Sequence, residues 1–256
     1  MFKYLSILTL VLLALVTFNV SYSAAEKPLD KTYEAHGGLE NWDNQNGLTY
    51  RMIGFPLSPQ VAKPNISTVD LKNRYNRIES EDFIVGFDGN EAWADPGPEA
   101  VGLKPRFFSL GSFYFVGIPF VFADPGVVLT DEGTTTFDGK TYKFVKAGFE
   151  KGVGHTSNDE YYVLIDPETD RVALISHTVT EVDEVDRVTW VYDEWQTVNG
   201  LLIPSKLTFY PGWNPDNPGE GASYTVDNAK FSAQSPDKSI YQPTAQAVID
   251  NSPALH

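Results

Sequence analysis

Three dipeptides constrain this chain more than any other feature: Asp88-Gly89, Asp138-Gly139 and Asn199-Gly200. Each sits between two apolar or β-branched runs. A tight hairpin turn needs positive φ, which Asn or Asp followed by Gly tolerates best, so each pair predicts an antiparallel hairpin. On that reading residues 83–87 pair with 91–94, 127–137 with 141–149, and 188–198 with 201–210. The run Asp166-Pro167-Glu168-Thr169-Asp170 predicts a further turn between strands at 161–165 and 172–180. Residues 66–79 supply two strands and 223–232 a last one.

Along the strand from Leu201, residues Leu201, Ile203, Leu207 and Phe209 share one face, and Leu202, Lys206, Thr208 and Tyr210 share the other. One apolar and one wet face is the pattern of an antiparallel meander. Roughly ten or more such strands cannot stay flat, because strand twist accumulates across a sheet. The predicted fold class is therefore mainly β with a few helices: a strongly curved antiparallel sheet, or half-open β-barrel, closed by short helices. A first helix is expected over Leu29 to Ala35, stopped by Gly37-Gly38, with a second turn over Leu39 to Asn44 that lays Trp42 on the core. His36 falls at the negative end of the first helix, a favourable place for an imidazole.

A curved sheet with an apolar concave face must be covered, and one segment is suited to cover it. Phe107 to Phe122 reads FFSLGSFYFVGIPFVF, with no charge between Arg106 and Asp124. Gly111, Gly117 and Pro119 interrupt it, and it is too short to read as a membrane span. A helix that is apolar all round is normally buried. The segment is expected to form two short helices or turns, broken near Gly117 to Pro119, lying across the mouth of the sheet as a plug and movable lid. It either fills the core or also lines a lipid-sized cavity. The candidate ligand-binding residues are Trp93, Phe107, Phe108, Phe113, Phe115, Ile118, Phe120 and Phe122.

The first residues bear on compartment. Lys3, the apolar run Leu5 to Val16 and Ser21-Tyr22-Ser23 form the pattern of a cleaved secretory signal over residues 1–23. Residues 24–235 then make a single curved-sheet domain with a helical plug at about 97–126, and 236–256 a flexible tail. There is no cysteine, so disulfides, thiol chemistry and a lipidated cysteine are excluded. The mature chain is thus expected in the periplasm or outside the cell, not lipid-anchored and without stable membrane insertion. A net charge of −15 disfavours nucleic acid as a partner.

Catalytic patterns are missing from the sequence. There is no G-x-S-x-G elbow, no H-E-x-x-H and no phosphate-cradling glycine loop. The four histidines, His36, His155, His177 and His256, are scattered. Glu181, Asp183, Glu184 and Asp186 lack the spacing of a calcium loop and read as a charged hairpin tip. No enzyme activity, cofactor or metal is expected.

Several short motifs, taken in order, point to a family. Asp88-Gly89 followed by Trp93 and Pro96 resembles a hairpin of the bacterial LolA/LolB-like lipoprotein-carrier superfamily. Tyr162-Val163-Leu164-Ile165-Asp166-Pro167 and Asn199-Gly200-Leu201-Leu202-Ile203-Pro204 resemble its later strands. Ala35-His36-Gly37-Gly38-Leu39 with Trp42 is similar to a secreted, uncharacterised bacterial subgroup related to it. The resemblance implies a half-open barrel of about eleven strands around an apolar cavity. It also implies a partner that is a hydrophobic small molecule or acyl chain, bound without a cofactor. A non-catalytic structural or protein-interaction domain with a filled core is the alternative. This chain departs from the superfamily in the phenylalanine richness of the segment between Pro96 and Val127.

Overall fold

The computed structural model describes residues 27–153, 158–180 and 186–252. The expected export signal, His155, His256 and the acidic tip at Glu181, Asp183 and Glu184 lie outside them.

Two meanders make one sheet. The first runs through β1 (Gly47–Ile53), β2 (Asn65–Asp70), β3 (Tyr75–Ser80), β4 (Ile84–Phe87) and β5 (Ala92–Asp95). The second comprises β6 (Val127–Phe137), β7 (Lys140–Phe149), β8 (Tyr161–Ile165), β9 (Val172–Thr178), β10 (Arg187–Val198), β11 (Leu201–Tyr210) and β12 (Ala222–Ser232). β1 pairs with β12 and joins them, and a short β13 (Val248–Asp250) adds to β5. The spatial order is β13-β5-β4-β3-β2-β1-β12-β11-β10-β9-β8-β7-β6, antiparallel throughout and not closed into a barrel. The expected curved, half-open sheet is thus present, with thirteen strands among the described residues. The two not separately anticipated are β1 and β13.

The hairpin chemistry acts as its residues require. Asp138 and Gly139 have φ of 46° and 72°, and Asn199 and Gly200 have φ of 50° and 79°. Asp88 works differently: its carboxylate accepts from the backbone N–H groups of Asn90 and Glu91 while Gly89 takes φ 95°. Register then sorts the faces. Tyr50, Ser67, Ile78, Val85 and Ala94 lie side by side across β1 to β5. Val145, Val163, Ile175, Trp190 and Phe209 do the same across β7 to β11. Most of these side chains belong to, or pack on, one main core. On the opposite face Leu164, Leu174 and Phe137 make a smaller core, covered in part by Trp213.

Because β5 and β6 are sequential yet lie near opposite ends of the sheet, the connection between them must cross its inner face. That connection carries α3 (Pro98–Val101), α4 (Pro105–Gly117) and a 3-10 turn (Phe120–Ala123). The break falls at Ile118-Pro119, as expected; Pro119 has no N–H to continue the helix. Among the described residues no helix is long and apolar enough to cross a membrane.

α1 (Asp30–Ala35) and α2 (Leu39–Asp43) close one end. Trp42 stacks on Phe120 with ring centroids 4.6 Å apart. Gly37, at φ 105°, presses so closely on the β10–β11 turn that a Cβ would sit 2.2 Å from the Gly200 carbonyl oxygen. The Leu202 N–H donates to the His36 carbonyl at the same seam. His36 falls at the end of the first helix, as expected, with its Nδ1 2.8 Å from the Thr32 carbonyl oxygen, but the imidazole is neutral rather than charged. It is fully buried, its ring 4.6 Å from that of Trp195, and burial pushes its pKa down to about 4. Loss of water outweighs the weak field of a six-residue helix.

The tail after Pro236 also differs from expectation. A 3-10 turn (Lys238–Tyr241) docks on the outer face, and β13 pairs along the edge of β5. Arg77, Gly86 and Trp93 are in register there, and the absent side chain of Gly86 makes room for the indole: a Cβ would meet it at 2.2 Å. The indole N–H donates to the Tyr241 carbonyl at 2.9 Å, and Arg77 donates to that of Ile240 at 3.0 Å. A few directional bonds and one fully buried tyrosine hold this segment, which is why composition and periodicity gave no sign of it.

Trp93→Ala is expected to cost about 3–5 kcal/mol in urea unfolding. It should also open residues 236–247 to limited proteolysis before the rest of the chain. Unchanged protease resistance in that segment would contradict the anchoring role of Trp93.

Candidate functional site

Between α4 and the inner face of the sheet lies a partly enclosed cavity of about 790 Å³. Its sheet wall is aromatic. Tyr161 stacks on His177 at 4.8 Å, Phe115 from α4 stacks on Trp190 at 4.3 Å, and Phe55 continues the wall at 5.7 Å from Trp190. Phe209 sits beside Trp190 at 4.7 Å. Tyr161, His177, Trp190 and Phe209 converge because β8, β9, β10 and β11 present them in two neighbouring cross-strand rows. Exposed Gly89 and Asn90, at the tip of the β4–β5 hairpin, border the cavity on another side.

The cover is fastened along its length. α4 has no side-chain cap of its own, but Asp250 of β13 accepts from the Arg106 N–H at 2.9 Å in its first turn. Asn76 donates to the Ser109 carbonyl at 2.7 Å, and the Tyr192 hydroxyl donates to that of Phe115 at 2.9 Å. Beyond the helix Asp124 makes a two-pronged ion pair with Arg74. Arg106 donates to the Asn90 carbonyl, with its guanidinium 5.5 Å from the Phe87 ring.

His177 and Asp159 both border the cavity, yet they are not bonded to each other. Trp190 donates its indole N–H to His177 Nε2 at 3.2 Å, so Nδ1 carries the proton and donates to the Thr178 carbonyl at 2.7 Å. The Asp159 carboxylate accepts from the Thr178 hydroxyl and the Thr180 N–H. Burial lowers the His177 pKa to about 4. Burial likewise raises the phenols of Tyr161, Tyr114 and Tyr192 above the ordinary range. A neutral imidazole and neutral phenols suit an apolar occupant. Among the described residues no cluster of His, Asp or Glu is arranged to hold a metal ion.

The eight residues singled out from sequence divide evenly. Phe107, Phe108, Phe113 and Phe115 border the cavity. Trp93 does not, since it faces outward under the C-terminal segment. Phe120 is spent on Trp42, and Phe122 packs 5.6 Å from Tyr161 behind the cavity wall. Ile118 is fully buried at the break before Pro119 and likewise does not border the cavity. Sequence reasoning missed Phe55, Tyr161, His177, Trp190 and Phe209. Alternation places Tyr161, His177, Trp190 and Phe209 on the inner faces of their strands, but only the cross-strand register brings them together, and Phe55 lies just beyond β1 where no alternation marks it.

A family model described as a family of unknown function (DUF6503) matches residues 103–202, from the start of the cover to the β10–β11 hairpin. No curated protein matches the chain. Among solved structures it is similar to a DUF1329 family protein from Desulfovibrio piger, with 10% identity, a TM-score of 0.46, and coverage of 85% of this chain and 100% of that one. It is also similar to a LolA superfamily protein from Nitrosomonas europaea, with 11% identity, a TM-score of 0.45, and coverage of 83% and 97%. The second belongs to the superfamily that the sequence motifs resemble.

Both buried imidazoles bind protons less readily in the folded chain than at the ordinary value of about 6.5. The unfolded chain therefore takes up protons first as pH falls. Stability from these two groups is complete above pH 6.5 and is lost progressively down to about pH 4, at up to about 1.4 kcal/mol per pH unit for each histidine. Asp166 and Asp227, held below the usual carboxylate range mainly by Lys140 and Arg51, lose their share only at lower pH. Urea midpoints should fall between pH 6.5 and 4.5. Equal midpoints across that window would refute neutral burial of the histidines.

Proposed function

We propose that the protein binds a hydrophobic, lipid-like molecule in the cavity between α4 and the curved sheet, and that it does so outside the cytoplasm. The observation that carries this reading is the cavity itself. Its volume of about 790 Å³ falls in the range of small-molecule sites, roughly 300–1,000 Å³, and its walls are largely aromatic. A filled-core domain would leave no such volume. Burying apolar surface at about 25 cal/mol per Å² makes one acyl chain worth several kcal/mol before ordering costs. The bonds that fasten α4 favour a fixed cover, with access beside it near Gly89 and Asn90, over a lid that swings as a unit. The basic and apolar residues at 3–16 support export. The reading is of a binding protein without a catalytic step.

Organic extraction of the purified protein followed by mass spectrometry should recover a bound lipid. After delipidation the protein should enhance the fluorescence of N-phenyl-1-naphthylamine, a neutral apolar probe. Gly111 offers a way to block the site, because it borders the cavity and a Cβ there would meet nothing within 4 Å. Gly111→Phe should weaken probe binding at least about fivefold. Gly111→Ala should raise stability by about 1 kcal/mol by removing a mid-helix glycine. No extracted lipid together with no probe response would overturn the proposal.

A further inference from the structure

One side of the cavity is not apolar. Asn76, Ser109 and Ser112 border it, and all three side chains are buried, with no more than 2% exposure. Directly behind them, Tyr50 and Ser67 face each other across β1 and β2, both fully buried. Asn76 uses its N–H to hold the Ser109 carbonyl, leaving its own side-chain oxygen without a partner. The Ser109 hydroxyl is also unpartnered. Burial raises the Tyr50 phenol to about 12, against the opposing effect of the Ser67 and Ser112 hydroxyls beside it. Buried polar groups in proteins are almost always hydrogen-bonded, and each left unmade carries a desolvation penalty. Two such atoms, the Asn76 side-chain oxygen and the Ser109 hydroxyl, at one margin of an otherwise greasy cavity are therefore a site for a hydrogen-bonding group.

The chemistry of that group follows from its neighbours. Serine hydroxyls both give and accept hydrogen bonds, the Asn76 amide oxygen accepts only, and none of these groups is charged. Of the fixed charges that border the cavity, Arg74 is paired with Asp124, Asp159 is held by Thr178 and Thr180, and Arg106 is turned to the Asn90 carbonyl at the hairpin tip, with its Nε left unpartnered. An anion placed against Ser109 and Asn76 would face an unpartnered acceptor oxygen, which repels it and calls for a donor instead. On the reading of the cavity as a lipid-binding site, we propose that the ligand is an amphiphile with an uncharged hydroxyl or carbonyl head. The head is received by Asn76, Ser109 and Ser112, and the tail lies along the Phe115–Trp190 wall. Long-chain alcohols and acylglycerols share this chemistry, whereas free fatty acids do not.

The test is a cycle of two ligands and two proteins, read by displacement of N-phenyl-1-naphthylamine. The ligands are 1-decanol and 1-chlorodecane, equal in chain length, of which only the first can donate a hydrogen bond. The proteins are the delipidated wild type and a Ser109→Ala/Ser112→Ala variant, which removes two hydroxyls from a helix that alanine favours. Decanol affinity should fall about tenfold in the variant, while chlorodecane should change by less than about twofold. Equal losses for both ligands, or no loss for decanol, would overturn the proposal while leaving the binding function intact. Decanoate displacing the probe more strongly than decanol would overturn it in favour of an acidic head. Failure of the wild type to bind the probe at all would remove both readings together. Monodecanoylglycerol in the same assay separates the two sources: tighter than decanol points to an acylglycerol, weaker to a simple alcohol.

Discussion

The pairing of β1 with β12 is the constraint on which the rest depends. It turns two separate meanders into one sheet and sends β5 and β6, neighbours in sequence, toward opposite ends of it. The intervening residues then have one route, across the inner face, and that route needs a segment without charge. Phe107 to Phe122 meets the requirement. Its sequence is thus set first by topology: a polar segment there would have to bury its groups against an apolar sheet at several kcal/mol each.

Crossing the face does not by itself leave a space. The cover divides its aromatic residues between two tasks, and the division leaves the cavity open. Phe120 fills the end closed by α1 and α2, where Gly37 rests on the β10–β11 turn. Phe108, Phe113 and Phe115 reach the sheet along the body of the helix. Gly111, Ser109 and Ser112 occupy positions where larger side chains would have closed the gap. Small residues on a buried helix face keep the volume open, and the bonds from Asp250, Asn76 and Tyr192 hold the helix at that spacing.

Much of the fold was legible because hairpin turns are local. Asp138-Gly139 and Asn199-Gly200 state their φ requirements in two letters, and the strands on either side follow within a residue or two. The break in the cover could be read from Gly117 to Pro119 for the same reason. What could not be read depends on contacts far apart in sequence. Trp93 looks like a ligand aromatic until Gly86 opposite it and Tyr241 above it reveal an outward seat. His36 looks like a helix-end base until Trp195, more than a hundred residues later, closes over it. The cavity wall is the strongest case. Tyr161, His177 and Trp190 come from three strands, and their meeting is a matter of register, which no single-strand pattern encodes.

β13 makes only a three-residue pairing, but it fastens the first turn of α4 and covers β5 at once. During synthesis these contacts form after every other strand has emerged. Until residues 248–250 arrive, β5 keeps an open edge of the kind that recruits foreign strands. The apolar helix beside it has no acceptor for its Arg106 N–H over the same interval. A chain that stopped before Val248 would therefore resemble a nearly finished fold while remaining prone to aggregation, so this short strand acts as a latch.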